Sequence, residues 1–114
     1  MIIRKCERKM EQIAKTGFVW DYKLPDEGIG IAVQKLNGRV PDSGQLMNTV
    51  CNEICYVISG SGIVFIEDEK YEVGEGDIFT IDAGQKSYII AKDLHFVAVT
   101  SPDWYPEQCE TVDE

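Results

Sequence analysis

The sequence predicts an all-β fold in a single domain. Three observations carry that reading. Short apolar runs recur from about residue 46 to residue 100, and glycine-containing turns separate them. Within those runs apolar residues alternate or run together over strand-sized lengths, as in Glu53–Ser59. Only one segment, residues 4–16, shows helical spacing. Many short strands with regular turns and one helix argue an antiparallel sandwich or barrel.

Taken in order, residues 4–16 place Cys6, Met10, Ile13 and Ala14 at helical intervals, with Gly17 as the stop. The expectation is a short amphipathic N-terminal helix. Phe18 to Leu24 is β-like, and Pro25-Asp26-Glu27-Gly28 is a turn. Ile29 to Leu36 reads as a strand closed by a tight Asn37-Gly38 hairpin, and Pro41-Asp42-Ser43-Gly44 is the next turn. Further strands are expected near 46–50, 53–59, 62–67, 70–73, 77–81, 87–91 and 94–100, with turns at Ser59–Ser61, Glu67–Lys70, Gly74–Gly76 and Ala83–Lys86. Ser101-Pro102 ends the last strand, because proline has no amide to donate. Trp104, Tyr105 and Pro106 are expected to pack on the barrel, and the acidic end beyond Cys109 to fray.

The chain has 114 residues, enough for one domain that buries roughly two-thirds of its unfolded surface. Twenty acidic residues against 11 basic give a net charge of −9. Phosphates would be repelled, which argues against nucleic acid or an anionic membrane as partner. Met1-Ile2-Ile3 is too short for a signal-peptide core, and no run reaches membrane-spanning length. The expected compartment is therefore the cytoplasm. Cys6, Cys51, Cys55 and Cys109 should then stay reduced.

The stretch from Met47 to Ser87 organises the chain. It reads Met-Asn-Thr-Val-Cys-Asn-Glu-Ile-Cys-Tyr-Val-Ile-Ser-Gly-Ser-Gly at 47–62, and Gly-Glu-Gly-Asp-Ile-Phe-Thr-Ile at 74–81, followed by Gly84 and Ser87. This pattern resembles the paired motifs of the cupin superfamily over roughly residues 29–102. Glu53, Gly60, Gly76 and Gly84 stand at motif positions. Met47, Thr49 and Ser87 stand where the family carries three metal-binding histidines, and Asp82 replaces a proline. The resemblance implies a small cupin jelly-roll barrel, or double-stranded β-helix, with its core at about 29–102 and a tail at 103–114. It also implies that the family's metal set is degenerate here. A thioether and two hydroxyls are poor substitutes for imidazoles, so no metal cofactor is expected.

In cupins the face carrying the glutamate looks into the barrel. Side chains alternate along a strand, so Cys55 and Val57 follow Glu53 inward. Regular strands around Cys51 would add Met47, Thr49 and Cys51 to the same wall, and Ser87 joins from the second motif. The expected ligand-binding set is Met47, Thr49, Cys51, Glu53, Cys55 and Ser87. Glu53 reads either as a functional carboxylate or as a glutamate hydrogen-bonded at the barrel mouth. His95, the only histidine, is a candidate acid/base or a strand-end residue. Cys51, Glu53, Cys55 and His95 form a fallback metal set; the plainer reading of the thiols is small core residues. Asn48 and Asn52 could bond a polar ligand or hold a loop. Trp20 and Tyr22 could stack on a sugar or pack in a core. Lys86 and Arg39 are thin candidates for meeting an anion.

Two functions follow as expectations. The first is binding of a small polar metabolite, a sugar or carboxylic acid, with Glu53 accepting hydrogen bonds. The second is an enzyme, such as a sugar or sugar-phosphate isomerase or epimerase, with Glu53 as acid/base or with an unusual metal shell. Ile54, Tyr56 and Ile58 form an apolar row on the opposite face, and Gly62–Ile66 is apolar on both faces. A homodimer that covers those rows is expected.

Overall fold

The structure, a computed structural model, describes residues 1–113. Nine strands among them lie in one curled sheet: β1 Lys9–Ala14, β2 Gly17–Tyr22, β3 Gly30–Val40, β4 Gln45–Asn48, β5 Asn52–Ile66, β6 Glu69–Gly74, β7 Ile78–Ile81, β8 Lys86–Ser101 and β9 Cys109–Val112. The order β1-β2-β3-β8-β4-β9 forms one path, and β5 pairs β6, β7 and β8; all the pairings are antiparallel. The fold is nearly all-β, as the spacing of turns and strands predicts. No helix among the described residues is long and apolar enough to cross a membrane.

The expected N-terminal helix is absent. Residues Lys5–Glu7 make a single 3-10 turn, and Lys9–Ala14 is a strand paired with β2. The reason is a tertiary override of local spacing. The short Lys15-Thr16 turn lays this segment along the free edge of β2, where its backbone enters the ladder. There Glu11 and Ile13 face inward and Met10 and Gln12 outward, so the apolar residues fall on both faces and the ladder, not their spacing, sets the conformation.

Three expected turns are bulges instead. Ser59–Ser61 does not separate two strands, because β5 runs through it with register shifts against β8. The runs near 87–91 and 94–100 are likewise one strand, β8. Asn37-Gly38 lies inside β3 with a register shift between Leu36 and Gly38, and the Asn37 amide donates to the Thr16 carbonyl at 2.8 Å. Bulges bend a strand while keeping it in the ladder. The tail also differs from expectation: Pro106–Gln108 is a 3-10 turn, and Cys109–Val112 pairs β4 rather than fraying.

The β5 bulge changes which side chains point inward. Before it, Cys55 and Val57 are fully buried while Ile54, Tyr56 and Ile58 are exposed; after it, Val64 is fully buried. The inward parity is odd before Gly60 and even beyond it. The core beneath is Val57, Val64, Leu94 and Phe96, with Phe79 edge-on to Phe96 at 5.5 Å.

Register carries the outer face across six strands. One row reads Met10, Trp20, Val33, Val97, Tyr56, Ile78, and the next Tyr22, Ile31, Val99, Ile54, Thr80. Trp20 and Tyr22 therefore lie on this outer face, where Arg8 stands 5.0 Å over the Trp20 ring. Beyond the bulge, Phe65 stacks on Tyr88 at 4.3 Å, with Arg39 over the Tyr88 ring.

Gly60 has φ +79, and a Cβ there would lie 1.8 Å from the backbone oxygen of Asp93. Gly60→Ala should therefore destabilise the fold by about 3 kcal/mol or more, read as a lower midpoint in urea. An unchanged midpoint would show that the bulge is not held as described.

Candidate functional site

The inward rows of the sheet build a cavity of about 450 Å³. One row runs Ile81, Glu53, Thr100, Gly30; the next Phe79, Cys55, Ala98, Ala32, Asp21; the third Val57, Phe96, Gln34, Val19, Glu11. The remaining wall comes from β4, through Leu46 and Asn48, and from the first half of β8, through Ser87 and Ile89. Trp104, Pro106 and Cys109 of the tail complete it.

Of the predicted set, Glu53 and Ser87 line this cavity. Thr49 does not: its hydroxyl and amide both bond the Gln108 carbonyl, at 2.6 and 2.8 Å. Cys51 is buried, its thiol 3.4 Å from the Pro102 carbonyl. Met47 pairs Lys86 on the opposite face from Leu46 and Asn48. The alternation carried through 47, 49, 51 and 53 assumed a regular strand, but residues 49–51 are irregular and shift β4 against β5 by one face. Cys55 stays within the core, in contact with the site through Glu53. His95 is on the outer side of β8, since its neighbours Leu94 and Phe96 are fully buried. Burial and then Lys35 push its pKa down.

Asn48 proves to be a structural joint as well as a wall residue. Its side-chain oxygen accepts from Trp104 Nε1 at 3.1 Å and Gln108 Nε2 at 2.9 Å. The Gln108 oxygen in turn accepts from the Val50 and Cys51 amides at 3.2 and 3.1 Å. Gln108 is 2% exposed, so this amide ties the tail over the cavity and satisfies backbone donors that water does not reach. Asn52 accepts from the Ala83 amide at 2.9 Å and serves a loop.

The site residues that sequence reasoning missed are Thr100, Asp21, Glu11 and Asp103. Strand alternation from Phe18 to Tyr22 puts Asp21 opposite the aromatics, but only the register shows that its side of β2 is the inner one. Thr100 and Ser87 are 6% and 9% exposed, line the cavity, and have no hydrogen-bond partner among the described residues. Asp103 reaches the cavity because Gly30 has no side chain: a Cβ there would meet Asp103 Oδ1 at 2.3 Å and Thr100 Oγ1 at 2.8 Å.

The charge of the wall has one sign. Among the described residues Glu11, Asp21, Glu53 and Asp103 line the cavity, and no lysine, arginine or histidine does. Burial pushes the Glu53 carboxyl up, against a hydrogen bond from the Cys55 thiol that pulls it down. The Cys55 thiol is pushed up by burial and by Glu53. Asp21 is also raised, by burial first and then by Asp103 and Glu11. Lys23, largely in solvent, bonds Asp103 at 3.5 Å.

A cupin metal does not fit these residues. Met47 and Thr49 do not present donors to Glu53, and a serine hydroxyl is a weak ligand. The fallback set does not converge either, since His95 faces away from Cys51, Glu53 and Cys55. Among the described residues no three His, Cys, Asp or Glu side chains are grouped to hold a metal ion. Lys86 and Arg39 do not line the cavity; Arg39 donates to the Pro41 and Gly44 carbonyls at 2.7 and 3.0 Å.

A raised folded pKa at Glu53 has a defined sign. Near and below the ordinary value of 4.5 the carboxyl is protonated in both states. As pH rises towards the folded value the unfolded chain loses its proton first, so this group removes stability on going up in pH. Glu53→Gln should thus gain stability relative to the parent as pH rises above the ordinary value of 4.5 in urea titrations. A difference that does not change with pH would show that Glu53 is not held in a desolvating site.

Comparison with known proteins agrees with this architecture. Residues 41–99 match the Cupin domain family. No curated protein matches the chain. Among solved structures, Pac13, described as a nucleoside dehydratase, superposes with a TM-score of 0.88 at 14% identity, over 99% of this chain and 91% of that one. KdgF from Halomonas gives 0.70 at 18% identity, over 91% and 94%. Bacillus subtilis oxalate decarboxylase gives 0.79 at 20% identity, over 93% of this chain but 30% of that one. With the family match covering half of the chain and the same fold in these neighbours, the chain belongs to the cupin domain family.

Proposed function

We propose that this cupin binds a small hydroxyl-bearing metabolite, a sugar or a nucleoside-like molecule, inside its barrel. The observation that carries this reading is the meeting of Glu53 with the hydroxyls of Thr100 and Ser87, two residues that are 6% and 9% exposed, on the wall of one cavity. Those hydroxyls open to the cavity without partners among the described residues, and a ligand with several hydroxyls supplies partners for them. The volume suits a molecule of that size. The acid-only wall weighs against the carboxylic-acid ligand and the sugar phosphate that the sequence left open, because a second anion would meet Glu11, Asp21 and Asp103 on the open side of the cavity. The likeness to a nucleoside dehydratase, with a Streptomyces variant of it described with uridine, supports a ligand with a sugar ring.

An enzyme acting on the same class of ligand is the second reading. A carboxyl whose pKa is lifted by burial is suited to give and take a proton. Glu53 would be that group in a lyase or isomerase step.

We also infer that two copies pair through the outer face. The longer of the two rows spans six strands, about 24 Å, and the other five, and Met10, Ile54, Tyr56 and Ile78 are 54, 51, 50 and 63% exposed. The face carries few charges on a chain of net charge −9, so a second copy of the same face meets it with little repulsion.

A panel of neutral hexoses and ribonucleosides at millimolar concentration should contain members that raise the melting temperature, and Glu53→Gln should abolish the shift. No shift from any member would overturn the binding reading. For a binder, NMR in D2O separates the two readings: exchange of a carbon-bound proton or product formation marks the enzyme. Light scattering should give twice the 12.8 kDa chain mass, with Tyr56→Glu returning it to one; a parent protein of single-chain mass would overturn the dimer.

A further inference from the structure

We propose that the cavity selects a cationic ligand, a hydroxyl-bearing metabolite that also carries an amine, with Asp21, Asp103 and Glu11 receiving the ammonium group. This rests on the reading that the barrel binds a hydroxyl-bearing metabolite, and it adds the charge of that molecule.

Asp21 and Glu11 stand on neighbouring inward rows of β2 and β1, and Asp103 enters over Gly30 from the tail. Asp21 feels both other carboxylates directly. Asp103 is half-buried while Asp21 and Glu11 are exposed, so the three acids mark one open side of the cavity. Lys23, largely in solvent, bonds Asp103 at 3.5 Å and its charge also acts on Asp21, without lining the cavity. Lys9 pairs with Asp21 in register at the sheet edge but is not part of the wall.

The second observation comes from two hydroxyls of the same cavity, that of Thr100 standing beside Asp103 over Gly30. Thr100 and Ser87 are more than nine-tenths buried, open to the cavity, and without partners among the described residues. They leave hydrogen-bonding capacity for a bound molecule, whereas the acids favour positive charge. A metal ion meets neither demand, because the carboxylates are not grouped tightly enough to hold one. An organic ammonium does: it spreads three donors over separated acceptors, while the rest of the molecule reaches the hydroxyls and Glu53. Hydrogen bonds between charged groups in such a setting exceed neutral ones by enough to raise affinity about tenfold or more.

The test uses matched sets: D-glucose, D-glucosamine and D-glucose 6-phosphate, and adenosine, 5′-amino-5′-deoxyadenosine and AMP. Dissociation constants are measured by calorimetry or by NMR titration of the full chain at neutral pH. The amine should bind about tenfold or more tightly than its neutral counterpart in at least one set, and the phosphate not at all. Asp21→Asn should bring the amine-to-neutral ratio toward one, with a native NMR spectrum as the check on folding. Glu11→Gln should lower the same ratio if Asp21→Asn does not fold. Neutral members that bind as well as the amines would overturn the charge assignment and leave the binding reading standing. No binding by any member would overturn both.

Discussion

The ladder between β5 and β8 is the constraint on which the rest of this molecule hangs. Both strands are long, and each takes part in both walls of the barrel. A straight pair of that length would make a flat ribbon and enclose nothing. The register shifts at Ser59–Ser61 bend it, and the glycine at position 60 lets the backbone pass the Asp93 carbonyl at a distance no side chain allows. The same bend reverses the inward parity of β5. It therefore determines that Glu53 and Val64, at opposite parities, both look inward.

From that ladder the site follows by register. Glu53 opposes Thr100, Thr100 opposes Gly30, and the missing side chain at Gly30 admits Asp103. The tail that carries Asp103 and Trp104 is held by the Gln108 amide, which bonds the backbone of residues 49–51. Those residues are the ones whose irregular path turns Met47 and Thr49 away from the cavity. Met47 and Thr49 thus stand off the cavity, Thr49 because its hydroxyl and amide anchor the tail. What remains is a wall with acceptors and hydroxyls and, among the described residues, no lysine, arginine or histidine.

The strands and their turns were largely legible because alternation and glycine placement are local signals. Glu53 was found through the motif, and the outward direction of Ile54, Tyr56 and Ile58 through parity within one uninterrupted strand. The readings that failed crossed a break in regularity. Carrying parity from Met47 to Glu53 ignored the irregular residues between them. Reading Asn37-Gly38 and Ser59–Ser61 as hairpins ignored that a positive-φ glycine serves a bulge as well as a turn. The N-terminal helix failed because the spacing of Met10, Ile13 and Ala14 is a weak local signal, and pairing with the free edge of β2 overrode it.

By itself the sequence determined the class of fold, the strand-rich middle, the inward glutamate and the absence of the family's histidines, all of which depend on residue type or on neighbours a few positions away. Only the tertiary structure decided which side of β2 faces inward, that Thr100 and Ser87 stand unpartnered, that Asp103 enters over Gly30, and that His95 looks out. Those facts depend on strand register and on bulges. Register is set by the sum of many weak pairings across the sheet, and a shift of one residue exchanges the faces. No single stretch of chain contains that sum.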